Sequence, residues 1–466
     1  MMRKTILALL IASALSACAL TPPAIDKNTD LPDSWHSDSA SDISIGSNWW
    51  VQFDDPALNS LINAAEAHNQ NLVIAAARID EARAALGITS AEQLPRLDLG
   101  GKAGRGLSTQ LGTPSDNYSL GASASWELDL WGRIKNTNDA ARADLLASEY
   151  NRDAVALALF ANVAQTYFNL RALDQQLLIA QETLKTRQES FQLRKRRFEG
   201  GVTSELDLRQ AEVELASAQA SVPGIEQSIA KVTGSLGILI GQNPREMIES
   251  GINRGKTLRQ ISLPVNVPLG LPSQLLIRRP DIQASEQSLQ AAGARIAAAR
   301  AAYYPTISLT GFLGTESTSI SNLFSGPAKT WSFLGNLTAP LFDNGRTTAN
   351  VEGATARQKQ AVANYRLTIQ QAFAETQNAL IARSSSVKIV AAQQLQLDSL
   401  SRQLKLATLR YDNGFSGYLE VLDAQRSLFQ AQLNLAAAQR DQLNATVDLY
   451  KAMGGGWKAD RQSSNS

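Results

Sequence analysis

Two short segments of the sequence carry carboxylates directly after a glycine-containing turn. The first, GVTSELDLRQAE, begins at Gly201 and contains Asp207. The second, GFSGYLEVLDAQ, begins at Gly414 and contains Glu420 and Asp423. Carboxylates in these positions could cap the first turn of a helix, where the macrodipole favours negative charge, or they could line an acidic site that binds cations. The spacing alone leaves both interpretations open.

The composition excludes several other kinds of chemistry. The 466 residues include two histidines, His36 and His68, and one cysteine, Cys18. These are too few ligands for a zinc site and too few groups for a thiol–imidazole pair. The 44 basic and 43 acidic residues nearly cancel, so the chain has no net field that would attract nucleic acid. We therefore expect a protein that is not an enzyme and that needs no metal or other cofactor.

The N-terminal residues have the pattern of an export signal. Two basic residues precede a short apolar run, which ends in Leu-Ser-Ala-Cys at Cys18. The ending resembles the lipobox of bacterial lipoproteins, in which a signal peptide (1–17) is removed and the cysteine is lipidated, with palmitate among its acyl chains. An ordinary signal peptide cleaved near Ala17 is the alternative. Ala19 follows the cysteine, and in lipoproteins this implies sorting to the outer membrane.

The rest of the chain contains an internal duplication. WELDLWGR, ending at Arg133, corresponds to APLFDNGR, ending at Arg346, and the offset of 213 positions is the same as between Gly201 and Gly414. We divide the mature chain into a lipidated N terminus with an extended linker (18–48), a first repeat (49–253), an inter-repeat linker (254–271), a second repeat (272–457) and a flexible tail (458–466).

Each repeat contains two segments in which apolar and polar residues alternate. The longer segments are 118–130 and 331–341, and shorter ones, 97–99 and 307–313, precede them. A period of two predicts strands with one apolar and one polar face. No later segment has the eighteen or more apolar residues of a membrane helix, so a membrane crossing requires these strands. A soluble pair of hairpins is the alternative, and four strands are too few to close a barrel without further chains.

Most of the remaining sequence has helical patterns. We predict helices at 56–92, 134–199, 205–240, 280–302, 347–413 and 418–453. The two longest would each extend about 100 Å at about 1.5 Å per residue. A coiled-coil seam with steps of three and four is formed by Leu397, Leu400, Leu404, Ala407 and Tyr411. Pro223 should interrupt and kink its helix, and the basic cluster 194–197 should be a solvated face or a partner contact.

Several of these segments together resemble one known family. WELDLWGR, LLIRRPDI, ARAAYYPTISLTG, LDAQRSLF and LYKAMGGGW are similar in sequence and order to the TolC family of outer-membrane efflux factors, and most of all to its lipoprotein, OprM-like branch. The similarity runs from about residue 49 to about residue 457. It implies a mixed α/β membrane protein, a homotrimer in which four antiparallel transmembrane strands per chain form a 12-stranded barrel. Very long α-helical hairpins would continue the barrel as a periplasmic tunnel.

The same resemblance assigns roles to the two acidic turns. Leu419 and Asp423, four positions apart on one helix face, match the narrowest ring of the closed tunnel, and Glu420 matches a further acidic position there. Asp207 and Tyr411 match a pair that ties neighbouring coiled coils shut. The positions expected to contact a periplasmic adaptor are Gly201, Val202, Thr203, Gly414, Phe415 and Ser416. Phe415 departs from the small aliphatic residue common in the family, which affects the choice of adaptor.

The resemblance thus implies an outer-membrane channel subunit of a tripartite efflux pump, anchored by lipid, with its helical part in the periplasm. It would be a passive exit duct for drugs or other toxic small molecules, gated at its periplasmic tip. Its partners would be an adaptor and an inner-membrane pump of the resistance–nodulation–division type. The same family also contains ducts of one-step protein secretion systems, which is the alternative function.

Overall fold

The computed structural model describes residues 20–24, 32, 48–107, 113–249, 251–264 and 272–455. Its α-helices are α1 (Pro56–His68), α2 (Gln70–Ala91), α3 (Arg133–Glu199), α4 (Glu205–Leu239), α5 (Pro244–Glu249), α6 (Leu275–Arg278), α7 (Pro280–Ala301), α8 (Arg346–Asp412) and α9 (Tyr418–Ala452). Its strands are β1 (Arg96–Leu107), β2 (Pro114–Leu128), β3 (Thr306–Ser317) and β4 (Lys329–Thr338). Cys18, the predicted signal peptide and the predicted tail lie outside the described residues.

The two long helices, α3 and α8, have 67 residues each, and the returning helices α4 and α9 have 35 each. Their ends lie within one residue of the predicted ones. None of the helices in the described part of the chain is both long enough and apolar enough to cross a lipid bilayer.

Two details of the helix prediction are wrong. The predicted helix 56–92 is divided at Asn69, whose backbone is extended. The Asn69 side chain accepts the N–H of Asn71 at 2.8 Å and donates to the Leu239 carbonyl at 2.8 Å, so it caps α2 and stabilises the break. Conversely, α4 continues through Pro223. A proline removes only one hydrogen bond from the helix ladder, and the bonds on either side keep α4 continuous.

An aspartate supplied by the duplicated motif caps the first turn of each long helix. The Asp129 carboxylate accepts the N–H groups of Ile134 and Lys135 at 3.0 and 2.7 Å. Asp343 accepts the N–H of Thr347 at 2.9 Å. These bonds satisfy N–H groups that have no partner inside the helix. The predicted strands 118–130 and 331–341 therefore end early, at Leu128 and Thr338, because the chain must turn to place the capping carboxylates.

The four strands form one antiparallel sheet in the order β1-β2-β3-β4, so β2 of the first repeat pairs with β3 of the second. Residues paired across neighbouring strands share a face of the sheet. In this register one face of the sheet is apolar and carries Leu97, Leu99, Leu120, Trp126, Leu309, Leu313, Trp331, Phe333 and Leu337. The other face is mainly polar and carries Asp98, Lys102, Ser123, Glu127, Thr310, Ser332 and Asn336. The predicted alternation is confirmed, with exceptions at Phe312 and Leu334, which lie on the polar face.

The chain forms two compact units, and each unit takes residues from both repeats. The strands belong to the first unit, with residues 77–150 and 282–368, and the hairpin turns belong to the second, with residues 151–281 and 369–466. In the first unit α3 and α7 pack through buried alanines, among them Ala140 and Ala291. In the second, Trp49 stacks on Tyr450 with 5.3 Å between ring centroids. The repeat boundaries drawn from the sequence remain a prediction.

Candidate functional site

Each acidic sequence motif forms the turn between a long helix and its returning helix, α3 to α4 and α8 to α9. Gly201 and Gly414 have φ angles of 71° and 74°, in the left-handed region that favours glycine. The N–H of the next residue, Val202 or Phe415, donates at 2.8 Å to a carbonyl five positions earlier. This is the Schellman pattern of helix termination. The similarity of the two motifs therefore has a structural basis in how α3 and α8 end.

The first turn also caps the helix that follows it. The Ser204 hydroxyl accepts the N–H of Asp207 at 3.2 Å, and the Asp207 carboxylate accepts the hydroxyl of Thr203 at 2.7 Å. Ser204 is thus the cap of α4, and the Asp207 carboxylate is bonded within its own turn. The second turn has no equivalent, since Gly417 precedes α9 and offers no side chain to cap it.

The residues predicted to form the gate lie in the first turns of α9. Leu419 is 61 % exposed, and Glu420 and Asp423 are also exposed. The two carboxylates line an open groove of about 830 Å³ between α9 and α8. Across this groove the Glu420 carboxylate lies 3.6 Å from the Arg410 guanidinium, in a pair with both side chains more than half exposed. Such exposed pairs contribute little to stability, so this contact can be broken at low cost.

Beneath the exposed carboxylates lies a buried cluster that the sequence did not predict. Arg194 of α3 lies between Tyr411, near the end of α8, and Tyr418, at the start of α9. Its guanidinium donates to the Tyr411 hydroxyl at 3.0 Å. The interpretation of the cluster 194–197 as a solvated face is wrong for Arg194, which is 6 % exposed. Only the helical spacing of Tyr411 in the predicted seam pointed toward this packing.

A second buried cluster lies two helical turns earlier on α3. Arg187 lies against Glu214 of α4 at 3.3 Å, and it also donates to the side chain of Gln425 on α9. Glu214 in turn accepts from Arg426 at 2.6 Å. Burial lowers the pKa of Arg187 from its ordinary value, and the nearby Glu214 carboxylate opposes this shift. The Glu214 carboxylate thus offsets part of the free-energy cost of burying the Arg187 guanidinium.

The predicted pair of Asp207 and Tyr411 is not bonded together within one chain. Asp207 binds Thr203, and Tyr411 binds Arg194. Of the predicted contact residues at the tips, Val202 and Phe415 are each more than three-quarters exposed, and Gly201 and Gly414 are exposed too. Thr203 and Ser416 are half-buried. The roles of all these residues remain predictions.

Comparison with known proteins identifies the family. The model of the family described as "Outer membrane efflux protein" matches residues 61–242 and again residues 271–455. The chain belongs to the outer membrane efflux protein family. One family model thus matches two separate segments of the chain.

Individual relatives agree with this assignment over nearly the whole chain. The cation efflux system protein CusC of Escherichia coli O6:H1 is 36% identical over 457 residues, which cover 96% of this chain and 98% of that protein. The probable outer membrane lipoprotein SilC of Salmonella typhimurium is 37% identical and covers 88% of each chain. The crystal structure of the CmeC outer membrane channel of Campylobacter jejuni superposes with a TM-score of 0.88 at 29% identity, covering 95% of this chain and 96% of that one.

These findings confirm the resemblance to the TolC family and the fold class predicted from it. They also confirm the outer membrane as the location of the protein. The protein is an outer membrane efflux channel protein. Its relatives are named as efflux and channel proteins rather than as enzymes.

Proposed function

We propose that this channel protein is the exit duct of a tripartite efflux pump for drugs or other toxic small molecules. The match of the efflux family model to both repeats is the observation that carries this proposal. One relative is named for cation efflux, which supports small charged cargo for a channel of this kind, and a passive duct would select little by itself. Lipidation of Cys18 would add a membrane anchor to the strands.

Closure of the duct requires further copies of the chain. Within the described residues, β1 and β4 each pair along one side only, and the apolar face they share is open, with Leu99 80 % and Trp331 76 % exposed. Unpaired strand edges are costly in lipid, and barrels remove them by closing. Pairing of β1 in one copy with β4 in the next, three times over, would give the twelve strands expected for a homotrimer.

The hairpin turns supply the contact to the rest of the pump. The exposed side chains of Val202 and Phe415 would meet a periplasmic adaptor, which connects the duct to an inner-membrane pump of the resistance–nodulation–division type. Exposed apolar side chains at the tip of a turn are suited to such a contact, because they gain free energy when a partner covers them.

The proposed gate consists of three copies of Leu419 and Asp423 around one axis, with Glu420, Asp207 and Tyr411 controlling how the hairpins approach it. Leu419 would form an apolar level and Asp423 an acidic level that attracts cations. The exposure of all three α9 residues in a single chain supports this proposal, since each is free to face the axis.

The gate is tested by the double variant Leu419→Ala with Asp423→Ala in planar lipid bilayers. Removing the apolar and acidic rings should raise the single-channel conductance and weaken block by divalent cations added from the periplasmic side. Glu212→Ala, which removes an exposed acid from α4 outside the groove, is the matched control and should behave as wild type. Unchanged conductance and unchanged block in the double variant would show that Leu419 and Asp423 are ordinary surface residues of α9 and not a gate.

Protein secretion is the second candidate function. A strain without this gene should become more sensitive to toxic small molecules if the efflux proposal holds. Normal tolerance together with loss of one or a few proteins from the culture medium would instead favour a secretion duct. The efflux names of the relatives favour the first outcome.

A further inference from the structure

Arg194 occupies an unusual environment for an arginine. It lies on α3, it is 6 % exposed, and its guanidinium carbon lies 4.5 Å from the ring centroid of Tyr411 and 4.3 Å from that of Tyr418. Two aromatic rings at this distance attract a cation through their negative faces, most strongly where water is excluded. The site is therefore built to hold a positive charge between two tyrosines.

The polar atoms of the cluster are directed to specific partners. One guanidinium nitrogen donates to the Tyr411 hydroxyl at 3.0 Å, while the Tyr418 hydroxyl lies 3.0 Å from the hydroxyl of Ser190, one turn earlier on α3. Arg194 Nε has no hydrogen-bond partner among the described residues. An unpaired buried N–H costs free energy, so this arrangement is not simply the most stable way to fill the space.

The two tyrosines flank the turn between α8 and α9. Tyr411 belongs to the last turn of α8, and Tyr418 is the first residue of α9 and only 3 % exposed. Arg194 thus links both legs of the second hairpin to the long helix of the first repeat. We call these three residues, Arg194, Tyr411 and Tyr418, the tyrosine clasp.

The residues proposed to form the gate follow the clasp at once. Leu419 and Glu420 come directly after Tyr418, and Asp423 comes one turn later on the same helix. Gly417 gives α9 no side-chain cap, and the Arg410–Glu420 pair is exposed and weak. Tyr418 in the clasp is therefore a buried attachment of the first turn of α9, beside the buried Val421 and Leu422.

We propose that Arg194 is a positioning residue for the gate: through the tyrosine clasp it sets the place of the first turn of α9, and with it Leu419, Glu420 and Asp423. The inference rests on the gating part of the proposed function. Loss of Arg194 leaves the side chains of Leu419, Glu420 and Asp423 unchanged but lets the start of α9 move away from α3.

The test compares Arg194→Met, Arg194→Lys and Tyr411→Phe in the full-length channel. Methionine fills a similar volume without charge, lysine keeps a cation for the two rings, and phenylalanine removes only the hydroxyl. Arg196→Met is the matched control, because Arg196 is an exposed neighbour two positions along α3. Hydrogen–deuterium exchange is measured over residues 411–426, and single-channel conductance is measured in planar bilayers.

We expect Arg194→Met to speed exchange over 411–426 and to raise conductance, while the rest of the chain exchanges as in wild type. The exchange rate and conductance of Arg194→Lys should lie between those of Arg194→Met and wild type. Tyr411→Phe should change both quantities in the same direction as Arg194→Met, but by less. If Arg194→Met fails to assemble, Arg194→Lys carries the same comparison.

Two results would overturn the inference. One is exchange and conductance in Arg194→Met equal to those of Arg196→Met. The other is faster exchange with unchanged conductance, which would leave the clasp as a stabilising contact only. Failure of the gate itself is recognised separately, because the Leu419→Ala with Asp423→Ala variant keeps the clasp intact and would then show wild-type conductance.

Discussion

Among single residues, buried charges distinguish the inner face of the hairpins from their exposed surface. Arg187 and Glu214 have side chains only 6% and 9% exposed, and they join α3 to α4. Exposed pairs such as Arg209 with Glu212 have similar geometry but are open to solvent. The two kinds of pair should respond very differently to the loss of one partner, because water solvates a stranded charge at the surface and cannot do so in the interior.

Glu214→Ala should destabilise the folded channel by about 3–5 kcal/mol, because it leaves Arg187 buried without its carboxylate. The thermal unfolding midpoint of the detergent-solubilised protein, followed by circular dichroism, measures the effect. Glu212→Ala removes the partner of Arg209 at the surface and should change the midpoint far less. Equal shifts in the two variants would show that the Arg187 pair is not a buried ion pair in solution.

Among elements, the sheet depends on a close approach between the two repeats. Gly121 of β2 is paired with Gly314 of β3, and the ring of Phe312 lies over both. A Cβ atom on Gly314 would lie 2.5 Å from the Leu120 carbonyl oxygen, which is too close for any real contact. This pair thus helps to set the register between β2 and β3, which belong to different repeats, and register decides which face each side chain occupies.

Gly314→Ala should therefore reduce formation of the heat-resistant assembled channel, seen as a band of altered mobility on unheated polyacrylamide gels. The added methyl group must displace either the neighbouring strand or Phe312. Gly100→Ala in β1 is the control, since a Cβ atom there would meet nothing within 4 Å. Normal assembly of Gly314→Ala would mean that the strands can separate locally without losing their register.

The carboxylate of Asp343, which caps the start of α8, should make the stability of the folded protein depend on pH. The hydroxyl and N–H of Thr347 and the N–H of Gly345 bind the Asp343 carboxylate and lower its pKa below the ordinary value of 3.8. A depressed carboxyl pKa stabilises the folded state above the ordinary value, and that stabilisation is lost as pH falls through the folded pKa. Asp343→Asn should thus be less stable than wild type near neutral pH, and the difference should vanish in acid. Thermal midpoints measured from neutral pH down past 3.8 test this, and a constant difference would contradict it.

For the whole molecule, the two faces of the sheet predict where lipid and water lie. Leu120 and Phe333 share the apolar face, and Ser123 lies on the opposite face. Phe333 is 68 % exposed in the single chain, as expected for a side chain that faces lipid in the membrane. The family assignment and the open apolar face therefore point to the same orientation of the strands.

Arginine at Leu120 or Phe333 should cost about 2–4 kcal/mol if the site is near the bilayer midplane, whereas Ser123→Arg on the polar face should be tolerated. The folded fraction recovered in the outer membrane, compared among the three variants, measures the difference. If Ser123→Arg is as damaging as Leu120→Arg, the apolar face of the sheet does not face lipid.

The features that the sequence determined are those that depend on neighbouring residues. The alternation in β2 and the helical spacing of α8 follow from local periodicity, and the ends of α3 and α8 follow from Gly201 and Gly414. The duplication also predicted the order of helices and strands along the chain, because each repeat contains the same order of elements. These predictions were accurate to within a few residues for that reason.

Only the tertiary structure decided which of the many charged residues are buried. Arg194 and its exposed neighbour Arg196 have the same chemistry and lie two positions apart in sequence, yet Arg194 meets tyrosines more than two hundred positions away. The break at Asn69 likewise depends on the distant Leu239 carbonyl, and the approach of Gly121 to Gly314 depends on strands from different repeats. Such contacts form only when distant segments pack together, and local periodicity carries no information about which partners will meet.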